Sequence, residues 1–372
     1  MTVTVERAKL LEGVQKLQRA VGAKSTMPVL EGILISAEKG LITLSSYNLE
    51  IGMKKEMYAQ CEKEGDIVIN ARLLADILRK MNSLQVEITA DEKLLCHISG
   101  GGAVFDIMGM AATDYPEMPS VADGTRIEID SKLFSKMVSG TIFSVAQVEG
   151  TRPILTGLDV SVSNGILQLV AVDGCRLAIR RERVAVEENI EFIAAGKAIS
   201  EAVKLIDEET KNISITVGKR LISFNIDGYL FISRLLEGEY VNYQKIIPAE
   251  NKQTIVVNTR ELINVIERVS LLINDFLTSP VRAYFDTNEV TFSCTTSMGH
   301  ATEKMELALE GEPFEIGINS RLLLEALKAI DEEFVKIIFN GVNAGIVLCS
   351  PDSGNEDYLY IVMPMRLNNG KN

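Results

Sequence analysis

Histidine is scarce in this chain: only His97 and His300 occur in 372 residues. Acid–base and nucleophilic catalysis need a constellation of such groups, and none is visible around these two. Cys96 and His97 are neighbours on a stretch of alternating polarity, which sends their side chains to opposite faces of a strand. They make a poor nucleophile–base pair. The cysteines, Cys61, Cys96, Cys175, Cys294 and Cys349, are odd in number and include no CxxC. That argues for free thiols in a reducing compartment, and no His/Cys set has zinc spacing. No apolar run approaches the ~18–20 residues of a transmembrane helix. The opening MTVTVERAKLL lacks the basic-then-apolar layout of a signal peptide, so a cytoplasmic protein without membrane contact is expected. Gly100-Gly101-Gly102 opens no helix and leads to no GK[ST], so it reads as a hairpin loop. The acidic triplets Asp207-Glu208-Glu209 and Asp331-Glu332-Glu333 read as solvated helix-to-strand turns. The expectation is a binding protein, with no catalytic residue, metal or cofactor.

What the chain does have is repetition. Residues 67–81 read IVINARLLADILRKM, and the plan returns as FIAAGKAISEAVKLI from Phe192 and IGINSRLLLEALKAI from Ile316. Each copy is a short apolar run, a small or turn-forming pair, then a helical pattern that begins on a basic residue. Those residues are Arg72, Lys197 and Arg321, and a second cation follows seven positions later: Arg79, Lys204 and Lys328. At about 100° per residue, seven steps return almost to the starting azimuth, so each pair shares one helix face. Leu73, Leu74, Ile77, Leu78 and Met81 centre on the opposite side, as do their counterparts in the other copies. Two readings stand. Asp76, Glu201 and Glu325 occur at the offset-four position and can pair with the cation one turn earlier, ordinary support for a solvated face. Alternatively the stripe is a binding surface, which three copies in register favour. Net charge is −13, so the surface as a whole repels nucleic acid and any such contact must use a locally basic face.

The repeat extends further. VTVERAKLLEGV from Val3, IEIDSKLFSKMV from Ile127 and IVVNTRELINVI from Ile255 align as strand, turn and amphipathic helix. Leu10, Phe134 and Leu262 correspond, and so do Val14, Val138 and Ile266. The period of about 125 residues is large enough for each copy to hold its own core, which makes these domains and not solenoid turns. The polar stretches VADGT and PAENK place the domains at 1–122, 123–251 and 252–372. Each contains two helices among many strands, an α+β class with antiparallel sheets and helices on one face. The first-half helices carry the basic stripe less regularly: Lys9 and Lys16 keep the seven-step spacing, whereas Lys132 and Lys136 or Arg260 and Arg268 do not.

Two stretches break the threefold symmetry. One is VDGCRLAIR at 172–180, where Asp173-Gly174 reads as a turn; the other is YLYIVMPMRL at 358–367, unusually apolar for a chain end. The second is either a last edge strand packed on the core or a methionine-lined groove able to accept several partners.

With these stretches, the RPILTGL from Arg152 and the SRLLEGEYVNYQKIIP from Ser233, the chain resembles the bacterial DNA polymerase III beta subunit, the sliding clamps. The resemblance covers the full length. It implies a head-to-tail homodimer, six domains closed into a ring with sheets outside and helices inside. The stripes would face double-stranded DNA, with contacts from Lys24, Arg72, Arg79, Lys197, Lys204, Arg321 and Lys328. The two symmetry-breaking stretches would form one peptide-binding cleft, carried over to Leu155, Gly174, Cys175, Arg176, Leu177, Val241, Ile246, Met363, Pro364, Met365 and Arg366. Cys175 stands where the family commonly has histidine, Val241 where it has proline, and Lys245 where it has arginine. Phe105 and Ile107 would meet Leu271 and Leu272 across the subunit interface. The implied partners are the replicative DNA polymerase, an ATP-dependent clamp loader and repair polymerases, and the implied function is processivity without catalysis. Two other readings compete: an enzyme whose best candidate nucleophile is Cys175, and a scaffold that binds protein tails without encircling DNA.

Overall fold

The computed structural model describes residues 1–22, 26–147, 152–249, 251–273 and 279–367. Among them are six α-helices: α1 (Arg7–Leu17), α2 (Ala71–Lys80), α3 (Ser131–Ser139), α4 (Gly196–Val203), α5 (Thr259–Val269) and α6 (Ser320–Lys328). The turn-forming residue before three of them is an N-cap. The Asn70, Asn258 and Asn319 side chains accept the backbone N–H of Leu73, Glu261 and Leu322 at 3.0, 3.0 and 3.2 Å. Each cap satisfies a donor the helix leaves open and stabilises it by about 1 kcal/mol.

The chain divides into two compact units, Met1–Lys132 with Lys197–Leu235, and Leu133–Gly196 with the chain from Leu236 onward. The first unit holds two sheets. One runs β5 (Gln60–Lys63), β1 (Thr2–Glu6), β7 (Gln85–Ala90), β8 (Leu95–Gly100), β9 (Ala103–Met108). The other runs β10 (Thr125–Asp130), β15 (Asn212–Val217), β16 (Leu221–Ile226), β17 (Tyr229–Arg234), β4 (Ile51–Tyr58), β3 (Leu41–Tyr47), β2 (Gly32–Glu38), β6 (Gly65–Asn70). The second unit has the order β14 (Ile190–Ala195), β11 (Gly157–Ser163), β12 (Ile166–Val172), β13 (Arg176–Arg183), β25 (Gly354–Val362), β24 (Ile346–Ser350), β23 (Phe334–Phe339), β18 (Gln253–Asn258). It adds the sheet β21 (Gly299–Glu306), β20 (Glu289–Thr296), β19 (Val281–Phe285), β22 (Phe314–Ile318). The pairings are antiparallel, as hairpin-linked strands with short turns allow.

Strands of successive repeats pair with each other. Ile51–Tyr58 of the first repeat lies beside Tyr229–Arg234 of the second, with Phe231 opposite Met53. Arg176–Arg183 of the second repeat lies beside Gly354–Val362 of the third, with Ala178 opposite Tyr360. Each eight-stranded sheet therefore crosses a repeat boundary. The corresponding positions Leu10, Phe134 and Leu262, and Val14, Val138 and Ile266, are all buried. In the second unit Leu262, Ile266, Leu322, Leu323 and Leu327 of α5 and α6 share one core with Phe285, Phe292, Ile337, Leu348 and Tyr360 of both sheets.

The structure departs from expectation at the chain end. Gly354–Val362 is not an edge strand but a central one, between β13 and β24, with Tyr358 to Val362 almost wholly buried. The chain returns to the surface only from Met363 onward. The glycine run is a hairpin: Gly101 and Gly102 at φ +59° and +83° form the two-residue turn between β8 and β9. Cys96 is buried and His97 exposed, their side chains on opposite faces of β8. Burial pushes the Cys96 thiol up to about 11, which keeps it protonated and unreactive.

Candidate nucleic-acid and peptide interfaces

The repeated helices place their cations as the periodicity predicts. Arg72 and Arg79 of α2 are exposed while Leu74, Ile77 and Leu78 are buried, and Arg321 and Lys328 of α6 are exposed while Leu322, Leu323 and Leu327 are buried. Lys197 is exposed on α4, and Lys204 stands just past its last turn. Leu73 departs from the apolar face and is 43% exposed. Lys24 lies outside the described residues.

The acids do not pair as expected. Asp76 binds Arg79 at 2.6 Å and Glu201 binds Lys204 at 2.6 Å, each three residues forward; Glu201 also takes Arg19 at 3.1 Å. Glu325 turns to Arg176, and Lys328 is held by Glu267 at 2.6 Å. Geometry decides this, because on a helix surface a carboxylate can reach a cation three residues ahead as readily as one four residues behind. The leading cations Arg72, Lys197 and Arg321 have no ion pair among the described residues. A groove of about 690 Å³ runs beside the first of them, between Gln18, Glu31, Asn70, Asp76 and Arg79. The acidic triplets are tied down in part: Asp207 lies 3.6 Å from Lys16, and Asp331 lies 3.7 and 3.8 Å from Arg180 and Lys136.

The second unit's eight-stranded sheet has a second apolar face, opposite its helices. Val170, Val172, Leu177, Ile179, Leu359 and Ile361 form it, and Leu155, Tyr240, Val241, Tyr243 and Ile247 pack partly buried against it. The segment at 240–247 is held there by two hydroxyls. Tyr240 Oη accepts the Val172 N–H at 3.2 Å and donates to the Gly157 carbonyl at 3.3 Å. Tyr243 Oη accepts from Gln168 Nε2 at 2.8 Å. Ile246 and Met363 stand at 43% and 38% exposure, Cys175, Lys245 and Arg366 are exposed, and Pro364 and Met365 are half-buried. Gly174 has φ +91° in the turn, and nothing lies within 4 Å of where a Cβ would stand. The Met363 N–H reaches the Cys175 carbonyl at 2.8 Å, and the Met365 N–H reaches Gly317 at 2.9 Å. The two symmetry-breaking stretches are thus joined.

Arg176 departs from its sequence neighbours. Strand alternation puts Leu177 on the apolar face and Arg176 on the helix-facing side, with Ala178. Its side chain is 9% exposed and its guanidinium is committed to Asp173 and Glu325. Sequence reading also missed Tyr240 and Tyr243; their signal was two aromatics in an otherwise polar connection.

Phe105 and Ile107 lie half-buried on β9, an edge of the five-stranded sheet, and Val104 and Met108 on its other face are each 66% exposed. Leu271 is 79% exposed and Leu272 half-buried, in a turn beside the edge strand β21.

Among the described residues no helix is long and apolar enough to cross a membrane, and no group of acids, histidines and cysteines is arranged to hold a metal.

Models of the N-terminal, central and C-terminal domains of the DNA polymerase III beta subunit match residues 1–119, 128–242 and 244–366. The beta sliding clamp of Bacillus subtilis (strain 168) is 29% identical over 380 residues, which cover 98% of this chain and 100% of that protein. The crystal structure of the DNA polymerase sliding clamp from Bacillus subtilis superposes with a TM-score of 0.94 at 27% identity, over 99% of both chains. That of a putative DNA polymerase III beta subunit from Eubacterium rectale gives 0.93 at 26%, over 99% of this chain and 100% of that one. With three domain models in order and full-length likeness in both sequence and fold, this chain belongs to the DNA polymerase III beta subunit family, the sliding clamps.

Proposed function

We propose that two copies of this chain close head to tail around duplex DNA and tether the replicative polymerase and other partners to it. The family is that of a non-catalytic processivity subunit. The observation that carries the reading is the thrice-repeated helix stripe whose leading cation, Arg72, Lys197 or Arg321, has no carboxylate partner among the described residues. Phosphate contacts of that kind carry no sequence information and exchange rapidly, so a ring that uses them slides. The acidic balance elsewhere discourages binding to DNA outside the pore. Arg79, Lys204, Lys328 and Lys24 add to the same wall.

Edge strands support the dimer. Repeats join within the chain through antiparallel strand pairs, and β9 and β21 are edges of the same kind that remain open among the described residues. Such edges are templates for pairing with another chain. Phe105 and Ile107 of one copy, against Leu271 and Leu272 of the next, supply the apolar cover. The contact is heterologous and closes because two copies complete the circle. The domains are 1–122, 123–251 and 252–372, three per copy.

The cleft takes partner tails. Leu155, Leu177, Val241 and Ile246 form its apolar wall and Gly174 and Cys175 its lip. The segment Met363, Pro364, Met365 and Arg366 forms its rim, where methionine adapts to several partners. Tethering raises the polymerase's effective concentration at the primer end. Opening the ring falls to an ATP-dependent loader, and repair polymerases compete for the same cleft.

Titration of a labelled Gln-Leu-x-Leu-Phe peptide tests this, against the whole chain and a version ending at Val362. That end point spares Ile361 and Val362, both 1% exposed, so the sheet survives. Saturable binding that disappears on truncation is expected. Equal binding by both proteins overturns the cleft assignment.

A further inference from the structure

The guanidinium of Arg176 joins two places that the cleft alone does not explain. On one side its Nε donates to Asp173 Oδ2 at 2.8 Å. Asp173 Oδ1 in turn accepts the backbone N–H groups of Cys175 and Arg176 at 2.9 and 3.0 Å, which sets the turn at the cleft lip. On the other side Nη1 binds Glu325 of α6, and the guanidinium lies 5.4 Å from the Phe143 ring centroid. The Cys175 carbonyl at the end of that turn holds the Met363 N–H.

Glu325 stands one turn after Arg321 and nearly one before Lys328, yet it pairs with neither. Its carboxylate instead reaches a residue of β13 whose strand neighbour, Leu177, lies on the cleft face. An arginine is suited to this place because its planar fork serves two carboxylates at once, which an ammonium group does less well. With its side chain 9% exposed, losing one partner leaves a nearly buried charge short of compensation.

We propose that Arg176 is a positioning residue of the cleft: held from behind by Glu325 and Phe143, it fixes the turn at 173–175 and so the Cys175 carbonyl on which Met363 docks. The inference rests on the reading of that face as the tail-binding cleft. It makes α6, which carries the proposed DNA-facing stripe, a support of the lip on the opposite side of the sheet. A tail in the cleft then senses a carboxylate it never touches.

The test pairs peptide titration with amide hydrogen exchange over 173–176 in the full-length protein, comparing wild type, E325Q, R176K and the double variant. Glu325 has 40% of its side chain exposed, so E325Q is expected to fold. Expected are a several-fold weaker tail affinity and several-fold faster exchange of the Cys175 and Arg176 amides in E325Q. R176K is expected to change both in the same direction, and the double variant to add little to either, because one linkage is broken in all three. Wild-type exchange and affinity in E325Q overturn the proposal, as does faster exchange with unchanged affinity, or full additivity in the double variant. If wild type binds no tail, the cleft reading fails. The exchange measurement needs no tail and then decides the positioning of the turn alone, supporting it if E325Q exchanges faster and overturning it if not.

Discussion

The backbone N–H of Met363 donates to the carbonyl of Cys175 at 2.8 Å. This bond continues the β13–β25 ladder by one step beyond the pair Arg176–Val362, into the turn. It therefore sets the exposed methionine segment beside the Gly174–Cys175 lip without burying the methionine side chain. That separation of roles, backbone fixed and side chain free, is what an adaptable apolar contact needs.

Met363 and Ile246 are consequently the side chains to remove first. Both are more than a third exposed, so truncation to alanine leaves no internal cavity. M363A and I246A are each expected to weaken the tail peptide by about tenfold, or about 1.4 kcal/mol, which places them among the minority of interface side chains that cost more than about 1 kcal/mol on truncation, with the melting temperature unchanged. Fluorescence anisotropy with a thermal scan checks both. A fall in melting temperature with intact affinity would assign them to the core instead.

The stripe cations divide into two classes. Arg72, Lys197 and Arg321 lead their helices unpaired among the described residues, whereas Arg79, Lys204 and Lys328 are held by Asp76, Glu201 and Glu267. Only a cation in direct phosphate contact contributes to counterion release. R72Q with K197Q is expected to flatten the salt dependence of DNA binding by the loaded ring by about one unit of slope per cation, and to shorten processive synthesis. R79Q with K204Q should change the slope less. Tail binding should be unaffected in either. Equal slopes for the two pairs would show that the ion pairs of Arg79 and Lys204 open on DNA.

Much of this was legible in the sequence, and the reasons are local. The stripe follows from the 3.6-residue period, and the hairpin at Gly101-Gly102 from the positive φ that glycine permits. The opposition of Cys96 and His97 follows from the twofold period of a strand. Arg176 escaped because its neighbour Leu177 does belong to the apolar face; only knowing which face of β13 meets α6 separates them. The pairing of Asp76 with Arg79 in place of Arg72 was a matter of rotamers, which spacing does not decide. The end of the chain misled for another reason. A terminal apolar run looks like an edge strand in one dimension, yet Gly354–Val362 sits at the junction of two repeats, where it gains partners on both sides.

The proposed subunit contact has a probe that its own fold cannot feel. Leu271 is 79% exposed, so a charge there costs its own unit little. In a head-to-tail ring each chain contributes one such end, and a single substitution strikes both junctions. L271E is expected to convert a dimer of two 40.9 kDa chains into a monomer in native mass measurements, with unchanged circular dichroism. I107E should also break the dimer at the β9 end, with some cost to its own unit because Ile107 is half-buried beside the buried Cys96. A dimer that survives L271E would place the contact elsewhere.

Asp159 offers a prediction with a sign. It sits on β11 opposite Val170 and Ile193, 6% exposed, and its Oδ1 has no hydrogen-bond partner among the described residues. Burial, with a smaller contribution from the Glu191 carboxylate, raises its carboxyl from 3.8 to about 6. The folded state thus holds this proton more tightly than the unfolded chain, so stability is full below pH 4, falls as pH rises through about 4–6, and stays reduced above that. One pKa unit corresponds to about 1.4 kcal/mol, which makes the loss at neutral pH on the order of 3 kcal/mol. D159N keeps the shape and removes the titration. Its stability relative to wild type is therefore expected to rise between pH 4 and pH 7 by that amount, read as midpoint shifts in urea at a series of pH values. A difference that stays constant over the range would mean that Asp159 is solvated or paired in solution. One that grows toward acid would mean that its carboxylate, not its acid form, is the stabilised state.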